Sequence, residues 1–128
     1  MEVTASRHHT VPCAQCGRAA AELALLPSGT MTAGAASTRD RLERTDFMGT
    51  VQRFGSAAEL ARLFEAVRAG DYDAARAIDT DFVAFHCREC GAVYCEACWR
   101  LSPPVFDEGF YDYTKATCPQ GHEQIVDD

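Results

Sequence analysis

The sequence predicts a small α+β domain of 128 residues that is held together by bound metal ions, and three observations lead to this prediction. All seven cysteines and one histidine fall into four close pairs. A helical hairpin is predicted between the first pair and the second, over residues 56–79. Short apolar segments separated by turn residues flank the other pairs, as is typical of small antiparallel strands. The four pairs are Cys13 with Cys16, Cys87 with Cys90, Cys95 with Cys98, and Cys118 with His122.

The paired residues have the chemistry and the number that two zinc ions require. A structural Zn²⁺ is bound by four Cys or His ligands in tetrahedral geometry. Eight ligands therefore make two closed sites, which leave no coordination position for water or substrate. Two residues between paired cysteines allow a tight turn that directs both sulfurs at one ion. We therefore predict two Zn²⁺ ions that stabilise the fold and no catalytic metal.

Three other uses of the cysteines fit the sequence less well. The odd number of cysteines and the absence of a recognisable signal peptide argue against a disulfide framework. A thioredoxin-like redox pair needs one Cys-x₂-Cys that opens a helix after a buried strand, and three such pairs argue against it. An iron–sulfur cluster also uses thiolates, but the histidine favours zinc. Reduced thiols predict a cytoplasmic location.

The charge of the chain argues against nucleic-acid and membrane partners. The formal net charge is −7, and thiolates bound to Zn²⁺ make the folded protein more negative still. Both nucleic acids and anionic membranes are bound mainly through Lys and Arg. The one arginine cluster, within residues 39–46, is interleaved with acidic residues, so we expect a solvated, mixed-charge loop there.

The whole chain, residues 1–128, is predicted to form one domain. Residues 1–10 are polar and show no periodicity, so we expect a flexible N-terminus. Residues 11–26 contain the first zinc knuckle, which is the tight turn that carries the first ligand pair, and a short apolar strand. Residues 28–45 are rich in small and charged side chains and are expected to form a surface loop. Residues 82–126 form the predicted zinc-binding half.

The helical hairpin over residues 56–79 has clear start and stop signals. Ser56 and Glu59 have the spacing of a capping box, in which each side chain satisfies a free backbone N–H of the other residue. Gly70 ends the first helix, and Asp71 is the predicted N-cap of the second. The apolar residues of the first helix recur at helical spacing: Leu60, Leu63, Phe64 and Val67.

Aromatic residues are concentrated in the segment between the third pair and the fourth. They are expected to pack around the zinc sites, because small zinc modules have thin cores. A contact patch for a partner protein is the alternative, and the neighbouring Pro103-Pro104 and Asp107-Glu108 are consistent with it. The candidate patch consists of Trp99, Phe106, Phe110 and Tyr111.

The ligand pattern resembles a known class of zinc fingers. Residues 87–98 read C-R-E-C-G-A-V-Y-C-E-A-C, which is similar to the central C-R-x-C-G-x-V-x-C-x-x-C of FYVE-type fingers. The order of the four pairs is similar to that of the treble-clef, cross-brace class, which includes FYVE, RING and PHD modules. In that class the first and third pairs share one zinc, and the second and fourth share the other. The resemblance implies Cys13, Cys16, Cys95 and Cys98 for the first zinc, and Cys87, Cys90, Cys118 and His122 for the second.

A sequential pairing, in which neighbouring pairs share each ion, stays open as an alternative. The crossed pairing ties the N-terminal knuckle to the C-terminal half and closes a longer loop, which removes more entropy from the unfolded chain. The expected fold is thus a two-zinc cross-brace domain with a helical-hairpin insertion between its first and second ligand pairs.

Departures from the FYVE and RING patterns bear on function. FYVE fingers bind a phosphoinositide through a basic stretch, of which only His86 and Arg88 are matched here, so no phosphoinositide or membrane partner is expected. RING modules recruit ubiquitin-conjugating enzymes, and Cys118-Pro119 is similar to their C-P-x-C ending, but the C-x-H between the middle pairs is missing.

We expect a binding protein and not an enzyme. The sequence contains no nucleophile elbow, P-loop, dinucleotide fingerprint or H-E-x-x-H helix. The expectation is a zinc-binding, non-catalytic interaction or adaptor module with a protein partner. The alternatives are a RING-like adaptor of a ubiquitin-type ligase and a redox or catalytic zinc protein.

Overall fold

Antiparallel sheets and a helical hairpin make up the described part of this computed structural model, residues 3–32, 35–36 and 39–128. The helices are α1 (Ala57–Arg68) and α2 (Tyr72–Ile78). The strands are β1 (Arg7–Pro12), β2 (Ala19–Leu26), β3 (Met31–Thr32), β4 (Ala35–Ala36), β5 (Arg41–Asp46), β6 (Gly49–Phe54), β7 (His86–Cys87), β8 (Ala92–Val93), β9 (Arg100–Leu101), β10 (Val105–Asp107), β11 (Phe110–Thr117) and β12 (Glu123–Asp127).

The N-terminal layer is the sheet in the order β1-β2-β5-β6, covered by α1. Its strands are antiparallel, with Leu25 opposite Leu42 in the register of β2 and β5. Both leucines are buried, and α1 packs its apolar stripe on this face of the sheet. The buried stripe residues of α1 are Leu60, Leu63, Phe64 and Val67, as the helical spacing predicts.

The helical hairpin begins and ends near the predicted positions. The Ser56 hydroxyl accepts a hydrogen bond from the Glu59 N–H at 3.2 Å, which is one half of a capping box. The Glu59 carboxylate accepts a hydrogen bond from Arg53 at 2.6 Å and so joins α1 to β6. The Asp71 carboxylate caps α2 by accepting from the Ala74 N–H at 3.1 Å.

The loop predicted over residues 28–45 is wrong for its last part, because β5 is an inner strand of the sheet. The prediction failed because Arg41 and Arg44 are buried instead of solvated. Arg41 donates to the Thr30 carbonyl at 2.8 Å, and Arg44 donates to the Phe82 carbonyl at 3.1 Å. The Phe82 acceptor lies 38 residues from Arg44 along the chain, so local composition does not reveal it.

The flexible N-terminus predicted over residues 1–10 is also wrong from Arg7 onward, where β1 pairs with β2. Backbone pairing orders this segment although its side chains are mostly polar and exposed. Residues 1–2 of this segment, and residues 33–34 and 37–38 of the predicted loop, lie outside the described residues.

The C-terminal sheet is formed by β9, β10, β11 and β12 around the long strand β11. The two-stranded hairpin β7-β8 lies between this sheet and the N-terminal layer in the chain order. Buried residues from both parts, including Leu23, Phe85, Trp99 and Val126, belong to one apolar cluster. Neither described helix is long and apolar enough to cross a membrane.

Candidate metal centres

The structure brings the first and third ligand pairs together in cluster A, which consists of Cys13, Cys16, Cys95 and Cys98. The first two lie in the turn between β1 and β2, and the other two follow β8. The Sγ–Sγ distances are 3.7 Å between Cys13 and Cys98, and 3.4 Å between Cys16 and Cys95. The sulfurs of Cys95 and Cys98 are 3.8 Å apart.

The second and fourth pairs form cluster B, which consists of Cys87, Cys90, Cys118 and His122. The His122 ring directs its Nδ1 atom at the three sulfurs, at 3.1 Å from Cys90, 3.5 Å from Cys118 and 3.8 Å from Cys87. The sulfurs of Cys90 and Cys118 are 3.6 Å apart. In each cluster the four ligand atoms all lie within 4.8 Å of one another.

These spacings fit tetrahedral coordination of one ion by each cluster. Sulfurs that lie about 2.3 Å from a shared Zn²⁺ are about 3.8 Å apart, and a sulfur and an imidazole nitrogen are about 3.5 Å apart. The measured Sγ–Sγ distances of 3.4 to 3.8 Å agree with this geometry. Disulfide bonds require a distance of about 2.0 Å, and all seven cysteines are free thiols. Both clusters are therefore groups of ligands that could hold a metal ion.

The hairpin β7-β8 distributes the two middle pairs between the clusters. Cys87 lies in β7 and Cys90 in the turn that follows, whereas Cys95 comes two residues after β8. The hairpin also contacts the first knuckle directly, because the Ala14 N–H donates to the Val93 carbonyl at 2.8 Å. The pairs are thus grouped in the crossed order that the zinc-finger resemblance implies, and the sequential order is not observed.

A glycine follows each of the first two ligand pairs and ends the tight turn, or knuckle, that carries the pair. Gly17 donates to the Cys13 carbonyl at 3.0 Å with φ of 78°, and Gly91 donates to the Cys87 carbonyl at 2.9 Å with φ of 70°. Only glycine adopts such a left-handed conformation without a steric penalty. Glycine at these two positions therefore allows each knuckle to turn back on itself without strain.

The thiols of each cluster differ in how easily they ionise. Burial raises the pKa of Cys13, but hydrogen bonds from backbone N–H groups outweigh it and lower the pKa to about 6. Burial and the neighbouring thiols raise the pKa of Cys98 to about 12. In cluster B, burial likewise opposes the backbone N–H groups that lower the pKa of Cys118 to about 7, and burial raises the pKa of Cys87 to about 11. A divalent cation removes the repulsion that prevents all the thiols from ionising together.

A carboxylate behind His122 is a feature that the sequence analysis missed. The Nε2 atom of His122 points away from the sulfurs and lies 3.5 Å from the Glu89 Oε2 atom. A proton on Nε2 leaves the Nδ1 lone pair free for a metal, and an outer carboxylate favours this tautomer. Glu89 follows Arg88 inside the second knuckle, so its position beside a ligand from the fourth pair depends on the crossed grouping.

Comparison with known proteins places the chain in a family. The model of that family matches residues 3–128. The chain belongs to the family described as "Domain of unknown function (DUF8328)". No curated protein and no solved structure matches it. The family description names no class of zinc finger, so the likeness to FYVE and RING modules stays a resemblance of ligand order.

The residues of the candidate contact patch differ in exposure in this family member. Trp99 is 5% exposed, donates from its indole N–H to the Phe85 carbonyl at 3.2 Å, and stacks on Phe47. Its placement in a contact patch is therefore wrong, because the ring is part of the core next to cluster A. Phe106, Phe110 and Tyr111 are 62%, 78% and 43% exposed; Phe106 lies opposite Tyr111 in the register of β10 and β11, and Phe110 lies opposite Asp107 beside the turn, on the other face of the hairpin.

Proposed function

We propose that the protein is a protein-interaction module stabilised by two structural Zn²⁺ ions, one in each cluster. The observation that carries this proposal is that all eight paired residues form two groups of four ligands and leave none over. Four protein ligands fill a tetrahedral Zn²⁺ site, so neither ion has a position for water or substrate. This closed chemistry supports a role in the fold instead of in catalysis.

The ions have a structural task because each cluster joins distant parts of the chain. Cluster A links Cys13 to Cys98, which are 85 residues apart. Cluster B links Cys87 to His122, which are 35 residues apart. When bound, Zn²⁺ offsets part of the charge of the thiolates and replaces their repulsion by coordinate bonds. Since only reduced thiols bind the metal, we expect the protein to work in the cytoplasm.

The interaction role is supported by the exposed aromatic residues of the β10-β11 turn region. Monomeric proteins rarely leave several large aromatic side chains exposed within one short hairpin, because such a surface favours association. In the described residues we find no further group of three metal-binding side chains that would supply a catalytic centre. A binding surface on a fold that metal ions stabilise accounts for both the exposed aromatic residues and the lack of a further metal-binding group in the described residues.

Native mass spectrometry of protein purified under reducing conditions tests the metal part of the proposal. We expect two zinc ions per chain, with the metal identified by elemental analysis. His122→Ala should lose the ion of cluster B, because an alanine cannot replace the Nδ1 ligand. His8→Ala is the matched control, because His8 is exposed on β1 outside both clusters, and it should keep two ions.

One zinc ion per chain, or iron, would overturn this proposal. Free thiolates would then remain to be explained, and the redox or catalytic alternative would become the better interpretation. Two zinc ions together with binding of a ubiquitin-conjugating enzyme near Pro119 would instead support the ligase-adaptor alternative. Nuclear magnetic resonance (NMR) titration with such an enzyme separates that outcome from a module with another partner.

A further inference from the structure

We infer that the aromatic hairpin, residues 105–113, binds a basic and apolar segment of a partner protein. This inference rests on the proposed function, because it specifies the partner of the interaction module. Nine large apolar side chains are exposed in the described residues, and five of them lie between Leu101 and Tyr111. The exposed apolar surface is therefore concentrated in and next to this hairpin.

The hairpin presents its side chains on a defined backbone. Asp107 pairs with Phe110 across a turn of two residues, Glu108 and Gly109, whose φ angles of 51° and 85° are both positive. A two-residue turn with two positive φ angles matches the twist of the flanking strands. The surface is therefore pre-organised, which reduces the entropy lost when a partner binds.

The rings on one face of the hairpin are held in place by neighbouring groups. Phe106 lies opposite Tyr111 in the strand register, and their rings meet edge to face with centroids 6.0 Å apart. The Tyr111 hydroxyl donates to the Asp127 carboxylate at 2.6 Å. The Tyr111 ring is thereby fixed beside the end of β12 while its outer face remains exposed.

The charge of the hairpin selects the class of partner. Three carboxylates lie in it, namely those of Asp107, Glu108 and Asp112, and all three are exposed. Residues 101–114 contain no Lys or Arg. Aromatic faces attract cations, and carboxylates form charge-assisted hydrogen bonds with Arg and Lys. Alternating basic and apolar side chains would satisfy both kinds of group at once.

The continuation of β11 beyond the hairpin already shows such a contact within the molecule. The Lys115 ammonium lies 5.7 Å from the centre of the Tyr113 ring and 3.2 Å from a Glu123 carboxylate oxygen. A cation at the base of the hairpin thus combines an aromatic face with a carboxylate. The exposed Phe106 ring continues this face toward the turn, whereas the exposed Phe110 ring lies on the other face with the Asp107 and Asp112 carboxylates.

Other occupants of the surface are disfavoured by its charge. Nucleic acids and anionic membranes would be repelled by the carboxylates of the hairpin. A second copy of the chain, whose formal charge is −7, would bring the same carboxylates into contact with one another. A positively charged segment of another protein is the occupant whose charge is complementary.

A peptide titration tests the inference on the full-length, zinc-loaded protein. The probe is a fluorescent peptide of alternating arginine and leucine, and the comparison is a peptide of the same length with glutamate in place of arginine. Fluorescence anisotropy should show binding of the basic peptide, weakened at high salt, and no binding of the acidic one. NMR signals that move on titration should belong to residues 105–113.

Matched variants separate the hairpin from general charge attraction. Asp107→Asn with Asp112→Asn should weaken binding at least tenfold. Glu22→Gln with Asp73→Asn removes the same charge from exposed positions elsewhere and should leave binding within twofold. Phe110→Ser should also weaken binding tenfold, whereas Ile125→Ser, which changes an exposed residue of β12, should not.

The result that overturns the inference is equal binding of the two peptides, or equal loss in hairpin and control variants. Binding to phosphatidylserine vesicles, or self-association by the hairpin in sedimentation experiments, would overturn it in favour of another occupant. Zinc content decides the proposed function separately. A chain that holds two zinc ions and ignores the basic peptide contradicts only this inference, and a folded chain that binds the peptide with fewer ions contradicts only the proposed metal sites.

Discussion

The N-terminal layer and the C-terminal sheet are both antiparallel, but they are stabilised in different ways. In the N-terminal layer, α1 and the inner strands β2 and β5 bury most of their apolar side chains between them. In the C-terminal sheet, all residues of β9 and β10 are exposed, and β12 buries only Val126. The first region has an ordinary apolar core, whereas the second adds fewer side chains, among them Ala116 and Val126, to the same apolar cluster. Under the proposed function, the ion of cluster B would substitute for burial where burial is scarce.

Removal of metal should have the largest effect and should separate the two regions. Structural zinc sites contribute apparent binding free energies of about 10–16 kcal/mol, which exceeds the net stability of most domains. In the presence of a strong chelator and reductant, we expect amides of β11 and β12 to lose protection from hydrogen exchange. Amides of β2 and β5 should keep more protection, because α1 covers them. Uniform loss across both sheets would show that the N-terminal layer depends on the metal equally.

Truncation of a core aromatic in the N-terminal layer should have the next largest effect. Phe64→Ala removes a fully buried ring from α1 and should lower the free energy of unfolding by about 3–5 kcal/mol in urea titrations of the zinc-loaded protein. Phe110→Ala deletes the same atoms from the exposed hairpin and should change the free energy of unfolding by less than about 0.5 kcal/mol. Similar losses for the two variants would contradict the contrast between the regions.

Glu89→Gln should weaken cluster B without affecting cluster A. The carboxylate lies 3.5 Å from His122 Nε2 but is largely exposed. We therefore expect about a tenfold loss of zinc affinity, which is the smallest loss typical of removing a carboxylate that contacts a metal-binding histidine. Competition for zinc with a chromophoric chelator measures this loss of affinity. Glu96→Gln is the control, because Glu96 lies in the corresponding knuckle of cluster A, which has no histidine. Equal losses would rule out a specific role for Glu89.

The helix cap should give the smallest of these effects. Ser56→Ala removes the acceptor for the Glu59 N–H and should cost about 1 kcal/mol in urea unfolding. Ser56→Gly should cost only a few tenths of a kcal/mol, because glycine suits the cap position without a side-chain bond. If Ser56→Ala unfolds at the same urea concentration as the wild type, the Ser56 hydroxyl does not act as the cap.

The sequence was sufficient for features that depend on local chemistry. Ligand pairs at fixed spacing, Ser56 before an apolar stripe, and Asp71 after Gly70 all act on residues within one or two turns. Such signals can be read from a short window, because both partners of each interaction lie inside it. The crossed grouping of the ligand pairs came from the resemblance to other zinc fingers, since spacing alone does not decide which pairs share an ion.

Features that depend on distant partners were missed or misjudged. Arg44 was expected in a solvated loop, but its acceptor on Phe82 is 38 residues away. Trp99 was considered for a contact surface, and only its position between Phe47 and the Phe85 carbonyl shows that it is buried. The contact of Glu89 with His122 likewise exists only after cluster B has formed. In each case the tertiary structure supplies the partner.

The crossed grouping also sets an order in which the ions can be loaded. Cluster B needs ligands that span 35 residues, and cluster A needs ligands that span 85. The difference in loop-closure entropy is about 0.8 kcal/mol in favour of the shorter span, before any cost of arranging the helices between Cys16 and Cys87. In a refolding full-length chain, cluster B can therefore assemble within one contiguous stretch, whereas cluster A also requires the N-terminal layer to contact the β7-β8 hairpin. Under the proposed function, an ion in cluster A would therefore report that the N-terminal layer and the β7-β8 hairpin have come together, and the exposed Cys16 would be the ligand of that cluster most accessible to a competing chelator.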